Sequence, residues 1–230
     1  MALILNIDTA LEVASISLSS NGQILIDDEN SMQKDHAAWL HPAIQKLMNS
    51  ANKEFKDLAA IAVNYGPGSY TGLRVGLSAA KGFCYSLDIP LITVSSLKIL
   101  ASSALKKIEN QPELFPNDTS LLIAPMIDAR RMEVYTAIYD LQLREMLSPR
   151  AMILSPDSFT EFLKWQKILF LGNGSIKFQL VCKNINAYFQ NLNLNSSAMA
   201  EVSYNYFIGN NFAGMAYAEP LYLKEFYTRQ

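Results

Sequence analysis

Apolar residues in this chain gather into short runs and helical stripes whose order predicts the fold. Leu3-Ile4-Leu5-Asn6-Ile7-Asp8 is an apolar run closed by a carboxylate, the pattern of a buried strand with Asp8 at its tip. Residues 14–19 alternate strictly, Asn21-Gly22 favours a tight turn, and Gln23-Ile24-Leu25-Ile26 follows, so three strands open the chain. A helix is predicted over 35–51, capped by Asp35, with Ala37, Leu40, Ile44, Leu47 and Met48 at helical spacing. Pro42 lies inside it, where a kink or restart is expected. A strand over 59–63, a glycine-rich loop, a helix from about residue 70, a strand over 90–94 and a helix over 95–107 follow. Segment 109–119, with Pro112, Pro116 and Asn117-Asp118, reads as a linker. Beyond it, 121–128 is again an apolar run closed by a carboxylate, and 132–139 and 143–154 read as strands. Residues 156–165 suit a short helix, 168–171 a strand, Gly172-Asn173-Gly174-Ser175 a turn into a helix, and 197–218 a long final helix. Both halves thus read β-β-β-α-β-α, predicting a duplicated α/β fold with domains 1–108 and 119–230 and ligands in the cleft between them.

The stretch Gly66-Pro67-Gly68-Ser69-Tyr70-Thr71-Gly72-Leu73-Arg74-Val75-Gly76 reads as strand end, tight loop and helix, with Ser69 as N-cap. Gly72, Gly76 and Gly82 each cost about 1 kcal/mol relative to alanine inside a helix, so something must offset them. At about 100° per residue, Gly72, Gly76, Ala79 and Ala80 form one ridge flanked by Leu73, Val75 and Leu77. Either a foreign subunit nests in that ridge, or an element of the same chain does.

Composition and charge narrow the function classes. The chain has 230 residues, half of them apolar, and a net charge of −2 with 19 basic residues in no long run. That balance gives no electrostatic footprint for nucleic acid, so phosphate contacts are expected from another subunit. Cys84 and Cys182 are too few for a disulfide framework and suit a reducing cytosol. The first residues lack a signal-peptide pattern and no apolar stretch approaches 18 residues, so a cytoplasmic protein without a membrane segment is expected. His36 and His41, the only histidines, are five apart on one predicted helix and point about 140° away from each other, so no metal site is expected from them. No HExxH motif supports a metallopeptidase, and Gly66-Pro67-Gly68-Ser69 lacks the lysine of a phosphate-binding P-loop.

Asp8-Thr9, the Gly66 to Gly76 stretch, Ile127-Asp128-Ala129-Arg130-Arg131-Met132-Glu133-Val134-Tyr135 and the tail Pro220-Leu221-Tyr222-Leu223 together resemble the bacterial TsaB (YeaZ) family. The resemblance implies the actin-like, sugar-kinase and Hsp70 ATPase (ASKHA) superfold. It implies a non-catalytic scaffold in the synthesis of N6-threonylcarbamoyladenosine (t6A) at position 37 of ANN-decoding tRNAs. The expected partners are the catalytic, metal-bearing subunit TsaD and the ATPase TsaE, with tRNA met only through the complex and a homodimer formed when TsaD is absent. The helices over 35–51 and 70–87 are the expected interface, through Ala37, Leu40, Ile44, Leu47, Tyr70, Gly72, Leu73, Arg74, Gly76, Leu77 and Ala80. His36 matches a histidine usual at this point in the family.

In superfold members with ATPase activity the two strand-tip aspartates, here Asp8 and Asp128, face phosphates and magnesium, and glycine usually follows them. Here Thr9-Ala10 and Ala129-Arg130 follow, which argues against close phosphate approach. No cofactor is therefore expected to be required, and Asp8, Thr9, Asp128, Arg130, Gly172 and Gly174 are read as a vestigial nucleotide cleft. Gly172 and Gly174 either lie against an adenine or ribose or only make a turn. Arg130 is expected to order the cleft through Asp8 or Asp128. A weak ATPase or kinase of the same superfold is the alternative reading, and a peptidase the more distant one.

Overall fold

Every side chain of the opening run Leu3–Asp8, strand β1, is buried. A computed structural model of the chain describes residues 2–32, 35–114, 118–192 and 195–224. Strand β2 (Ala14–Ser20) pairs antiparallel with β1, and β3 (Gln23–Asn30) pairs antiparallel with β2 across a turn in which Asn21 and Gly22 both take positive φ. Strands β4 (Ala60–Gly66) and β5 (Leu91–Ser95) add in parallel on the other side of β1, giving the order β3-β2-β1-β4-β5. Helices α1 (His36–Ser50) and α2 (Tyr70–Leu87) cover this sheet, and their Leu40, Ile44, Leu47, Leu77, Ala80 and Cys84 join Leu5, Ile7, Ile61 and Val63 in one core. Ser69 caps α2 as expected, its hydroxyl accepting from Gly72 N at 3.3 Å. Asp35 precedes α1 without a side-chain cap bond, and α1 continues through Pro42.

The same construction repeats after helix α3 (Ser96–Asn110). Strands β6 (Leu122–Asp128), β7 (Glu133–Tyr139) and β8 (Glu145–Ile153) form an antiparallel meander, while β9 (Ile168–Leu171) and β10 (Ala187–Gln190) add in parallel beside β6, in the order β8-β7-β6-β9-β10. Helices α4 (Thr160–Leu163) and α5 (Ser175–Gln179) are short. Phe159, Phe170 and Phe178 pack edge to face in the second core, the last two with ring centroids 4.8 Å apart.

Three features differ from the sequence expectation. Each half runs β-β-β-α-β-α-β-α, beyond the summarised β-β-β-α-β-α; the segments read over 90–94, 95–107 and from 197 already mark β5, α3 and the last helix, and only β10 has no counterpart in the sequence reading, its four residues carrying no run of buried positions. Helix α6 spans Ser196–Ile208 rather than 197–218; Gly209 ends it, Asn210 takes a left-handed φ, and Ala213 N donates to Leu91 O at 2.8 Å, drawing the chain along the edge of β5. The compact units are 1–96 with 195–221, and 97–194 with 222–230, whereas the expected halves were 1–108 and 119–230: α3 groups with the second unit, and α6 with the segment after it groups with the first. The reason is chemical: Asn6, buried in β1, needs partners, and Ser203 of α6 donates to its Oδ1 at 2.6 Å while its own Nδ2 donates to Ser19 Oγ at 3.0 Å. Of the expected linker 109–119, α3 occupies the start and a single 3₁₀ turn Pro112–Leu114 follows; residues 115–117 lie outside those described.

Candidate functional site

Three residues at the end of β1, Asp8, Thr9 and Ala10, are all buried. Asp8 Oδ1 accepts from Ala10 N at 2.9 Å and Oδ2 accepts from Asn64 Nδ2 at 3.0 Å. Asn64 Oδ1 in turn accepts from Gly66 N at 3.0 Å and lies 2.8 Å from Ser96 Oγ. Burial pushes the Asp8 carboxyl above the ordinary range, against the lowering pull of Asn64, the Ala10 N–H and nearby His36. His36 is buried, with no hydrogen-bond partner for its Nε2 among the described residues.

The glycines of the loop and of α2 serve this strand tip. Thr9 Oγ1 donates to Gly72 O at 2.7 Å and Ser69 N donates to Ala10 O at 2.7 Å. A β-carbon at Gly68 would collide with Ala10 O, one at Gly72 with Thr9 O, and one at Gly76 with Thr9 Oγ1. The notched ridge is thus filled by the chain's own strand tip, and this corrects the expectation that a partner nests there. Leu40, Ile44, Leu47, Gly72, Leu73, Gly76, Leu77 and Ala80, assigned to the interface from sequence, are buried inside their own unit. Of that set only Ala37, Tyr70 and Arg74 are exposed.

Magnesium and phosphate of the kind superfold ATPases hold do not fit here. The carboxylate of Asp8 is enclosed and already accepts two N–H bonds, and the Ser69 N–H that begins α2 is given to Ala10. No group of three or more His, Cys, Asp or Glu side chains suited to a metal occurs among the described residues.

The outward face of the two helices is a different surface. A shallow groove between them is lined by Ala37, His41, Val75, Ser78, Gly82, Phe83 and Ser86. A β-carbon at Gly82 would meet nothing within 4 Å, so the open notch is at Gly82. Phe83 stacks on Phe55 at 5.4 Å and lies 5.9 Å from the His41 ring. Further along α2 the groove continues past Tyr70, Thr71 and Arg74, whose guanidinium sits 4.0 Å over the Tyr70 ring. Sequence reasoning placed the docking set on the inner side of α2, which the chain itself fills, whereas the open groove lies on the outer side. An open glycine and a filled one look alike in a sequence.

At the end of β6, Asp128 is exposed, and Lys177 Nζ donates to its Oδ1 at 2.7 Å. The Arg130 backbone N–H donates to the same oxygen at 2.6 Å, and Asn173 Oδ1 accepts from Asp128 N at 2.9 Å. Partial burial works to raise the Asp128 carboxyl, but Lys177 and the Arg130 N–H outweigh it and hold it below the usual carboxylate range. Lys177, forty-nine positions away in α5, was missed; no sequence signal joins it to Asp128. The expected pairing of the Arg130 side chain with Asp8 or Asp128 is replaced by these bonds. Gly172 and Gly174 lie beside this tip, where a β-carbon at Gly172 would collide with Met126 O and one at Gly174 would lie 2.8 Å from Val134 and 3.0 Å from the Ile127 carbonyl carbon. Close packing of the β9–α5 turn on β6 accounts for both glycines, in keeping with the turn reading.

Comparison with known proteins agrees with this architecture. The model of the family described as TsaD, tRNA N6-adenosine threonylcarbamoyltransferase, matches residues 29–211. The tRNA threonylcarbamoyladenosine biosynthesis protein TsaB of Bacillus subtilis is 35% identical over 174 residues, which cover 74% of this chain and 70% of that protein. The Haemophilus influenzae protein of the same name is 28% identical over 228 residues, covering 96% and 83%. The structure of YeaZ from Pseudomonas aeruginosa superposes with a TM-score of 0.77 at 24% identity, covering 97% of this chain and all of that one, and shows a shared fold. With 35% identity across more than two thirds of a named relative, and the duplicated five-stranded α/β units of an actin-like fold, the chain belongs to the TsaB (YeaZ) family.

Proposed function

We propose that this chain is the non-catalytic subunit of a tRNA t6A-modifying complex and that it supports the catalytic subunit TsaD through the outer faces of α1 and α2. One observation carries the reading: the α1–α2 groove stays open around Gly82, with Val75, Phe83, His41 and Ala37 along it, while the strand-tip carboxylate below is enclosed. Such an apolar groove is costly to leave in water. A specific interface needs about 800 Å² per partner, and two helices of 15 and 18 residues can supply much of it. When TsaD is absent, a second copy of the chain covers the same face. TsaE joins the assembled pair, and tRNA is bound by the complex.

The test is Gly82→Leu. This exposed helical glycine has open space around it, so the variant stays folded and gains up to about 1 kcal/mol of helix propensity. Co-purification with TsaD is expected to be lost, and retained complex would remove α2 from the interface. Micromolar affinity for Mg-ATP with turnover by the isolated chain would overturn the non-catalytic assignment.

A further inference from the structure

We propose that the hairpin tip at Arg130 and Arg131 is a contact for the phosphate backbone of the tRNA handled by the complex, an inference that rests on the scaffold reading above. Both arginines have left-handed backbones, φ 69° and 47°, in a conformation that favours glycine or asparagine. Hydrogen bonds hold them there: Ala129 N donates to Glu133 O at 3.0 Å, Glu133 N to Arg130 O at 3.1 Å, and Arg130 N to Asp128 Oδ1. The chain's own bonds thus support this conformation without a partner.

Its charges are not balanced. Lys177 neutralises Asp128 and also donates to Glu133 O at 3.2 Å, and Lys224 pairs with the Glu133 carboxylate. Both acidic groups of the tip are thus matched, and two guanidiniums remain, each exposed and with no side-chain partner among the described residues. Two adjacent planar forks offer bidentate geometry to phosphate oxygens. A chain of net charge −2 has otherwise little to offer a polyanion, which makes this local excess informative. Carboxylates of a protein partner would also suit arginine, but an apolar surround is the usual frame of such a contact, and here the neighbours are Lys177 and Lys224, with Met132 the one exposed large apolar side chain on the turn.

The experiment titrates an ANN-decoding tRNA transcript against the complex of the full chain with TsaD, by fluorescence anisotropy across a salt series. The double variant Arg130→Ala/Arg131→Ala is expected to weaken binding roughly tenfold and to flatten the slope of log K against log salt by about 1.4–1.8, the share of two phosphate contacts. Arg130→Lys/Arg131→Lys retains the slope, since charge is kept. Unchanged affinity and slope in the alanine variant overturn the proposal. So does loss of the complex itself on size exclusion, which would reassign the tip to a protein carboxylate. Failure of the scaffold reading shows separately, as wild-type chain and TsaD eluting apart; the isolated chain is then titrated with the same transcript at low salt, and the same change of slope decides.

Discussion

Strands β1 and β6 hold the same place in two copies of one topology, and each ends in an aspartate, yet the two tips do opposite things. At Asp8 the following residues are small and apolar or hydroxylic, and the glycines of α2 let a helix close down on them. At Asp128 one alanine is followed by two arginines, and the chain turns away through two left-handed positions that leave the tip in solvent. A duplicated fold has no need to keep two working copies of one site. Here one tip serves as a packing seam and the other as a charged projection.

The largest break in this contrast is expected at the sealed tip. Gly76→Leu forces a side chain into Thr9, Val63 and Ile7, and overpacking without room to relax is expected to destabilise by about 3 kcal/mol or more. Thermal denaturation followed by circular dichroism would then show Tm lower by roughly 6–12 °C; an unchanged Tm would mean the seam is not closed. The contrast with Gly82→Leu, on the same helix and the other side, is the point of the pair.

A smaller effect is expected at the open tip. Asp128 has its folded pKa below the ordinary value of 3.8, so its contribution to stability is fully present above that value and is lost as pH falls through the folded one. Lys177→Met removes the main cause, and urea titrations between pH 6 and 3 are expected to show a shallower acid loss. The Asp128 side chain is 40% exposed, so screening limits the difference to about 0.5–1 kcal/mol. An identical acid limb in the two proteins would remove Lys177 as the cause.

The smallest effect leaves stability untouched. Burial pushes the Cys84 thiol, on the inner side of α2, up to about 11, while Cys182 is half-buried. Iodoacetamide at pH 8 is expected to label the native chain at Cys182 and spare Cys84, with both labelled in denaturant. Rapid native labelling of Cys84 would show that α2 opens readily from its strand tip.

Much of this was legible in advance. Runs of apolar residues closed by Asp8 and Asp128, the Asn21-Gly22 turn, and Ser69 before the α2 stripe gave the strands, helices and duplication, because local patterning and capping are written in neighbouring residues. The partner of a glycine ridge is not. Gly76 and Gly82 are both helical glycines, and only the register of β1 beneath α2 decides that one is filled and the other open. Lys177 and β10 were hidden for related reasons, the first because its partner lies far along the chain, the second because a short half-exposed strand has no period to read.

Helix α6 gives the molecule an order of assembly. A ribosome releases the strands of the first sheet early, but the serine that answers the buried Asn6 amide lies at position 203, and the residue that borders β5 lies at 213. The amino-terminal sheet is therefore closed over only after the whole second sheet has emerged. A premature stop near residue 195 would spare the second core and leave the first one unfinished, so damage at one end of the gene would be felt at the other end of the protein.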